Sequence, residues 1–429
     1  MNPLDRLAEL EQFGVKLGLD PIRRIAAALG HPERSAPVIH VAGTNGKGST
    51  AAMIERALRA AGRRTGRYTS PHLSRIEERV AVDGEPVAAA DFAAAATTVL
   101  DTIDTLRTSG ALEAMPTFFE ATTAIAFEAF RRAGVDALVI EVGLGGRFDA
   151  TNLVEPAVTA ITSVDLDHQQ HLGATLAAIA FEKAGIAKPG VPLVAGPLAP
   201  EARAVVADAC RAAGAPLVDA ARGCVVSARM DGGHAVLAVT TPARQYPPTR
   251  LALAGRHQAD NALVAIRVLE LAAARGLPAD GGAIATGLRE ASWPARLEWL
   301  ATPAGRVLLD AAHNPSGAAA LAAYLADTGL APLPIVVAAM RDKDAGGLVA
   351  ALAPAASLLV ATEAPSPRTR TAADLAAVAG RAAPGVPVIA EPDPAAALAR
   401  ALAGGGPAVV AGSIFLVGPL RARLAGGAP

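Results

Sequence analysis

The sequence predicts an α/β protein, with a P-loop-containing parallel-sheet ATPase domain followed by a smaller Rossmann-like α/β domain. Three observations lead there. Short apolar runs alternate with helical stretches through the first two-thirds of the chain, the pattern of a parallel sheet. One of these runs, Pro37-Val38-Ile39-His40-Val41, passes directly into a glycine-rich turn and then a helical pattern over 51–58. A second α/β alternation begins at Val307-Leu308-Leu309-Asp310, after the chain changes character near Trp293-Pro294-Ala295-Arg296. At 429 residues the chain exceeds the usual size of one core, so two domains are expected, 1–296 and 297–429.

The elements follow in order. Strands are expected at Val38–Ala42, Ala137–Glu141, 157–162 and 191–195. Between them, 118–132 carries apolar residues at helical spacing, and the alanine-rich stretch 88–98 reads as a surface helix. A β-like segment at 223–241 reads as an antiparallel insertion, and 257–275 as a helix. The second domain shows strands near 335–338, 358–361, 386–389 and Ala408–Ala411. The tail 425–429 is expected to fray.

The run Gly43-Thr44-Asn45-Gly46-Lys47-Gly48-Ser49-Thr50 carries the chemistry. Strand, glycine turn, lysine, hydroxyls and helix in that order make a phosphate cradle. Glycines let backbone N–H groups approach an anion, the helix N-terminus adds partial positive charge, and Lys47 reaches the terminal phosphates. ATP is therefore the expected co-substrate. The spacing is not the standard Gly-x-x-x-x-Gly-Lys-Ser/Thr, because Gly43 and Gly46 are closer and Gly48 follows the lysine. Glu141 ends an apolar strand before another glycine turn, Gly143–Gly146, where it could hold Mg²⁺ or cap a helix. Both turns fall at carboxyl ends of strands, where such sheets bind ligands.

Composition excludes other classes. Net charge is −1 with no basic tract, so no nucleic-acid or membrane partner is expected. Hydrophobic residues make up 52%, but charges and glycines break every apolar stretch before it could span a bilayer. The acidic, amphipathic start lacks the basic and apolar regions of a secretory signal. Cys210 and Cys224 suggest neither a disulfide framework nor a metal site. A cytoplasmic, monomeric protein acting on small molecules is expected.

The shortened phosphate loop is also where a resemblance begins. It resembles that of the folylpolyglutamate synthase/dihydrofolate synthase family, within the Mur ligase superfamily. Other stretches agree in family order: Tyr68-Thr69-Ser70-Pro71-His72-Leu73, Thr117-Phe118-Phe119-Glu120, and Glu141-Val142-Gly143-Leu144-Gly145-Gly146-Arg147-Phe148-Asp149-Ala150-Thr151-Asn152. Asp167-His168, Glu182-Lys183-Ala184-Gly185-Ile186, His257-Gln258-Ala259-Asp260-Asn261-Ala262, Arg296-Leu297-Glu298 and Asp310-Ala311-Ala312-His313-Asn314-Pro315 continue the series, and Asp342-Lys343-Asp344 and 412–418 close it. The resemblance covers nearly the whole chain.

It implies an ATP-dependent ligase that activates a carboxylate as an acyl phosphate and joins it to glutamate. Thr44 to Thr50, with Asn45, Gly46, Lys47, Gly48 and Ser49 between, would hold ATP together with Asn261, Arg296, Asp310 and His313. Ser70 and Glu141 would bind one Mg²⁺ and His168 a second, with Lys183 carbamylated so that its amine becomes carboxylate-like. Lys47, Lys183 and His168 would be catalytic. Thr117, Phe119, Asp149 and Ala150 would line the pterin site. On residue pattern alone several of these read more blandly: Lys183 as a surface lysine, His168 as a polar loop residue, Ser70 as a turn serine, the Phe118-Phe119 pair as core, and 310–315 as a capped strand-to-helix turn. Three departures from the family pattern stand out: Ala295 where a glycine is usual, Asp165 where a small residue is usual, and His171 where an aromatic is usual. A P-loop NTPase driving conformational work, or a non-catalytic nucleotide-binding module, are the other classes open to such a chain.

Overall fold

The computed structural model describes residues 2–10, 14 and 18–426; the last three residues of the tail expected to fray lie outside them. The chain forms two compact units. The first comprises 1–226, 238–249 and 260–291, and the second 227–237, 250–259 and 292–429.

The first unit is built on an eight-stranded sheet. Its strands lie in the order Glu85–Pro86, Val80–Val82, Thr65–Tyr68, Ala137–Glu141, Val38–Ala42, Pro156–Ile161, Leu193–Ala195 and Leu217–Asp219. Val80–Val82 pairs antiparallel with Thr65–Tyr68 and with Glu85–Pro86, while the other neighbours run parallel. Val38–Ala42 and Ala137–Glu141 are buried at every position. A strand covered on both faces has no reason to alternate, which is why these read as continuous apolar runs. Val38–Ala42 lies between Ala137–Glu141, with Val41 beside Glu141, and Pro156–Ile161, with Ala42 beside Ile161. The turns leaving these three strands are therefore neighbours in space although about 100 residues separate them in sequence.

The helix Phe118–Ala133 shows its boundaries in sequence. Thr117 caps its N-terminus in a capping box with Glu120, and Gly134 at φ 60° ends it in the left-handed conformation. The alanine-rich segment is a longer helix than expected, Ala89–Thr108, and it is not confined to the surface. Phe92, Ala95, Ala96, Val99, Leu100 and Ile103 enter the core beside Tyr68, Phe127 and Phe130. These residues recur every three or four positions, and a face of small alanines lets the helix lie close to its neighbours.

A separate three-stranded sheet takes up the β-like segment, as Val225–Asp231, His234–Thr240 and a third strand, Gln245–Ala254. Pro247 and Pro248 inside that third strand hide its alternating pattern of Tyr246, Thr249, Leu251 and Leu253.

The second unit carries a six-stranded sheet in the order Glu298–Thr302, Gly305–Leu309, Ala408–Ala411, Leu333–Val337, Ala356–Ala361, Val388–Ala390. The first two strands pair antiparallel and the rest run parallel. Among the described residues, no helix is long and apolar enough to cross a membrane.

Candidate active site

The glycine turn after Val38–Ala42 is held from the next strand's exit. Thr44 N–H donates to the Ser163 carbonyl at 2.9 Å, and the Thr44 hydroxyl accepts from Asp165 N–H at 3.0 Å. The hydroxyls of Thr162 and Ser163 donate to the Asn45 carbonyl at 2.6 and 3.2 Å, and the Asn45 amide donates to Asp165 Oδ2 at 3.3 Å. Asp165, one departure from the family pattern, thus braces the loop. Thr162 and Ser163 serve the same purpose and carry no signal of their own in sequence, since their partners lie about 118 residues away.

Gly46 sits at φ 83° as the residue preceding the helix Lys47–Ala60, and a side chain there would come within 2.2 Å of Asn261 Oδ1. Gly46→Ala is therefore expected to impose about 1–2 kcal/mol of left-handed strain and displace Asn261, weakening a non-hydrolysable ATP analogue by about tenfold in calorimetric titration. An unchanged affinity would show that this loop has no role in holding ATP.

Lys47 Nζ lies 3.8 Å from Glu141 Oε1 and donates to the Thr44 carbonyl at 3.3 Å. Glu141 is buried, so the pair places a cation and a carboxylate at the exits of adjacent strands. Ser49 and Thr50 are buried in the first turn of the helix, and the Thr50 hydroxyl has no partner. Ser70 follows Thr65–Tyr68, the neighbour of Ala137–Glu141 on its other side.

Lys183 is not the surface lysine that its helical setting suggests. It is 4% exposed and donates to the Gly43 carbonyl at 2.9 Å, beneath the phosphate turn. Burial, reinforced by the charge of Lys47, pulls its pKa down to about 7. The approach is possible because Gly146 has no side chain; a Cβ there would stand 2.8 Å from the carbonyls of Glu182 and Lys183. Asn152 ties the same segments by donating to the carbonyls of Arg147 and Gly185, both at 3.0 Å. His168, at φ 50°, begins the short helix Gln169–Leu172 on the loop leaving Pro156–Ile161, with its N–H donating to Asp167 Oδ1 at 2.7 Å. Among the described residues, no group of three or more His, Cys, Asp or Glu side chains converges as a metal site.

Phe119 packs edge-on to the 143–149 turn: a Cβ on Gly143 would lie 2.4 Å from its ring. Phe119 also stands 6.2 Å from the Tyr68 ring. Both Phe118 and Phe119 are only partly buried, packed against the core rather than within it. Thr117 is buried, its hydroxyl and N–H both donating to Glu120. Asp149 is buried and accepts from Thr151 N–H, the Thr151 hydroxyl and Leu144 N–H; burial raises its pKa, opposed by these donors. The Ala150 methyl belongs to the hydrophobic core, leaving its backbone as the group it offers.

Asn261 lies in the first unit, whereas Arg296, Asp310 and His313 belong to the second. Arg296 is flanked by two left-handed residues, Ala295 at φ 58° and Leu297 at φ 48°. The departure from glycine at 295 thus leaves the backbone in a glycine-favoured conformation, held by bonds on both sides. Ala295 N–H donates to Glu298, its carbonyl accepts from Ala311 N–H, and Leu297 N–H donates to Asp310 Oδ2 at 2.9 Å. Asp310 is therefore a brace of the Arg296 turn. His313 Nδ1 lies 3.0 Å from the Ala311 carbonyl, and Asn314 caps the helix Pro315–Asp327.

Residues 295–414 match the model of the Mur ligase glutamate ligase domain. The chain is 38% identical over 390 residues to the dihydrofolate synthase/folylpolyglutamate synthase of Mycobacterium tuberculosis, covering 86% of this chain and 80% of that one. It is 40% identical over 427 residues to a probable bifunctional folylpolyglutamate synthase/dihydropteroate synthase of Halobacterium salinarum, covering 97% of this chain but only about half, 51%, of that longer protein. Among solved structures it resembles M. tuberculosis folylpolyglutamate synthase complexed with ADP and AMPPCP, with a TM-score of 0.91, 34% identity and 98% of each chain covered. It also resembles E. coli FolC in complex with DHPP and ADP, with a TM-score of 0.87, 30% identity and coverage of 99% of this chain and 98% of that one.

Proposed function

The chain belongs to the folylpolyglutamate synthase/dihydrofolate synthase family of ATP-dependent Mur-type ligases, and from that premise we propose that it joins L-glutamate both to dihydropteroate and, as γ-linked chains, to tetrahydrofolate. The observation that carries this reading is the arrangement beneath the phosphate turn, where the Lys47–Glu141 pair and buried Lys183 meet the loop between Gly43 and Lys47.

The chemistry proceeds in two displacements. A carboxylate oxygen of the pterin substrate attacks the γ-phosphorus of ATP and ADP leaves, forming an acyl phosphate. The glutamate amine then attacks the acyl carbon, phosphate leaves with the bonding pair, and the amine loses its proton. Both steps crowd anions together. Lys47 neutralises the transferring phosphoryl group, while the Gly43–Lys47 turn directs its N–H groups at the phosphates. Arg296 and His313 also serve the nucleotide, with Asp310 holding the turn that carries Arg296. Thr117, Phe119, Asp149 and the Ala150 backbone hold the pterin.

Glu141, Ser70 and His168 offer the hard oxygen and nitrogen donors suited to Mg²⁺, which prefers few protein ligands and the remainder from phosphate and water; bound there, it would supply charge neutralisation for the phosphates. Lys183 as a carbamate completes the second such site. Its environment suits the modification, because an amine with a pKa near 7 is substantially neutral at physiological pH and can add to CO₂. Glu141→Gln preserves size and removes charge, so the Mg²⁺ concentration for half-maximal activity should rise by about tenfold or more. An unchanged Mg²⁺ titration would make Glu141 a structural residue.

The assignment is tested by ADP release from purified protein with ATP. Release should require glutamate together with dihydropteroate, and separately glutamate together with tetrahydrofolate. Release that needs neither would point instead to an ATPase driving conformational work, and response to one pterin alone would reduce the enzyme to a single activity.

A further inference from the structure

His40 stands on the strand Val38–Ala42, three residues before the phosphate turn begins at Gly43, and is completely buried. Its side chain does not serve the nucleotide. Its Nε2 lies 2.9 Å from the hydroxyl of Thr151, itself fully buried. That hydroxyl stands 2.5 Å from Asp149 Oδ1, and the carboxylate takes further bonds from Thr151 N–H at 3.0 Å and Leu144 N–H at 2.8 Å. A continuous buried chain thus runs from the phosphate-loop strand to the turn at 143–149.

We infer that His40 is a positioning residue for the pterin end of the site: its Nε2–H orients the Thr151 hydroxyl, which in turn holds the Asp149 carboxylate in one orientation for a ring N–H donor of the substrate. This rests on the reading of Asp149 as a substrate contact.

The hydrogen count fixes the direction of the chain. His40 carries no charge, because burial first and the charge of Lys188 second bring its pKa down to about 3. A neutral imidazole holds one proton, on Nε2 or Nδ1. His40 Nδ1 has no hydrogen-bond partner. A proton on Nδ1 would be a buried donor with nothing to receive it, while an unprotonated Nδ1 is merely an unused acceptor, the cheaper state. With the proton on Nε2, the Thr151 oxygen receives it and its own hydrogen points at Asp149, stabilising the ionised carboxylate. With the proton on Nδ1, the Thr151 hydrogen would turn to Nε2, and the short contact to Asp149 would require a protonated carboxyl group. Its proton would then be spent on Thr151, and the neutral carboxyl group would accept from a substrate N–H more weakly than a carboxylate does. The tautomer of His40 thereby favours the ionised form of Asp149, the stronger acceptor for the amide and amino N–H groups of a pterin ring.

The test separates the relay from the site. In steady-state assays His40→Leu and Thr151→Val should each raise KM for dihydropteroate about tenfold while KM for ATP stays within about twofold. The double variant should be no worse than Thr151→Val alone, because His40 acts through that hydroxyl. His40→Gln, whose amide can reach the same oxygen as a donor, should recover most of the loss. An unchanged dihydropteroate KM in His40→Leu, an equal rise in both KM values, or fully additive effects would overturn the proposal. Selectively ¹⁵N-histidine-labelled wild-type protein gives a second reading that needs no variant to be active: the signal missing from the His40→Gln spectrum should report a protonated Nε2 and a bare Nδ1. Protonation at Nδ1 would overturn the relay. Asp149→Asn with an unaltered dihydropteroate KM would remove Asp149 from the substrate site and take the proposal with it, through that reading rather than through the hydrogen-bond chain.

Discussion

Replacing Lys47 with alanine is expected to slow glutamate-dependent ADP release by about 10³-fold or more, about 4 kcal/mol of transition-state stabilisation. The amine stands at the first residue of the helix Lys47–Ala60, against the Thr44 carbonyl and 3.8 Å from Glu141. It is thus held over the turn where the proposed site would receive the terminal phosphate, and the water-poor surroundings of Glu141 make its charge count for more than it would in solvent. The fold should survive. The shape of the turn rests on Gly43, Gly46 and the Thr162–Asp165 braces, and none of these involves the Lys47 side chain. Circular dichroism and the thermal midpoint check that expectation. A folded Lys47→Ala protein with near-normal turnover would end the assignment of this turn to ATP.

Lys183→Ala is expected to be about as damaging, and Lys183→Arg no better. The amine is enclosed below the phosphate turn with a pKa near 7. The sign follows from the direction of the shift: above about pH 7 the neutral amine dominates and the proposed carbamate could form by addition to CO₂ carbon with loss of a proton, whereas below it the ammonium cannot react. Wild-type activity should accordingly fall in CO₂-depleted buffer, fall further as pH is lowered through 7 there, and return with bicarbonate. A short-chain carboxylic acid should partly restore Lys183→Ala by entering the vacated space with the missing oxygens. A guanidinium stays cationic and cannot carry a carbamate. Strong activity in Lys183→Arg, with no response to bicarbonate in the wild type, would show that Lys183 acts as a cation on phosphate and leave the ligase assignment standing.

These two lysines show where the sequence was legible and where it was not. Lys47 could be read directly, because its partners in function are adjacent to it: a strand, two glycines and the start of a helix occur in one unbroken run. The strands Val38–Ala42, Ala137–Glu141 and Ala408–Ala411 were equally plain, since strands buried on both faces appear as short apolar blocks. Lys183 read as a surface residue because a lysine in a helix is normally solvated, and nothing local tells that Gly146 admits its backbone and that the Gly43 carbonyl waits for its amine. The burial of the helix Ala89–Thr108 and the proline-interrupted strand Gln245–Ala254 escaped for related reasons: alanine carries little hydrophobic signal, and proline argues against a strand that only an edge position allows.

By itself the sequence determined the local pieces: the phosphate turn, the parallel α/β alternation, the helix over 118–132 and, through motifs in order along nearly the whole chain, the family. Each depends on interactions between residues close in the chain. The tertiary structure alone decided which pieces meet. The order Ala137–Glu141, Val38–Ala42, Pro156–Ile161 sets Glu141 beside the phosphate turn and brings Thr162, Ser163 and Asp165 against it. It also buries Lys183 and His40, so that desolvation rather than residue type sets their protonation. Burial and cross-strand adjacency depend on parts of the chain more than a hundred residues apart, and no window along the sequence contains them.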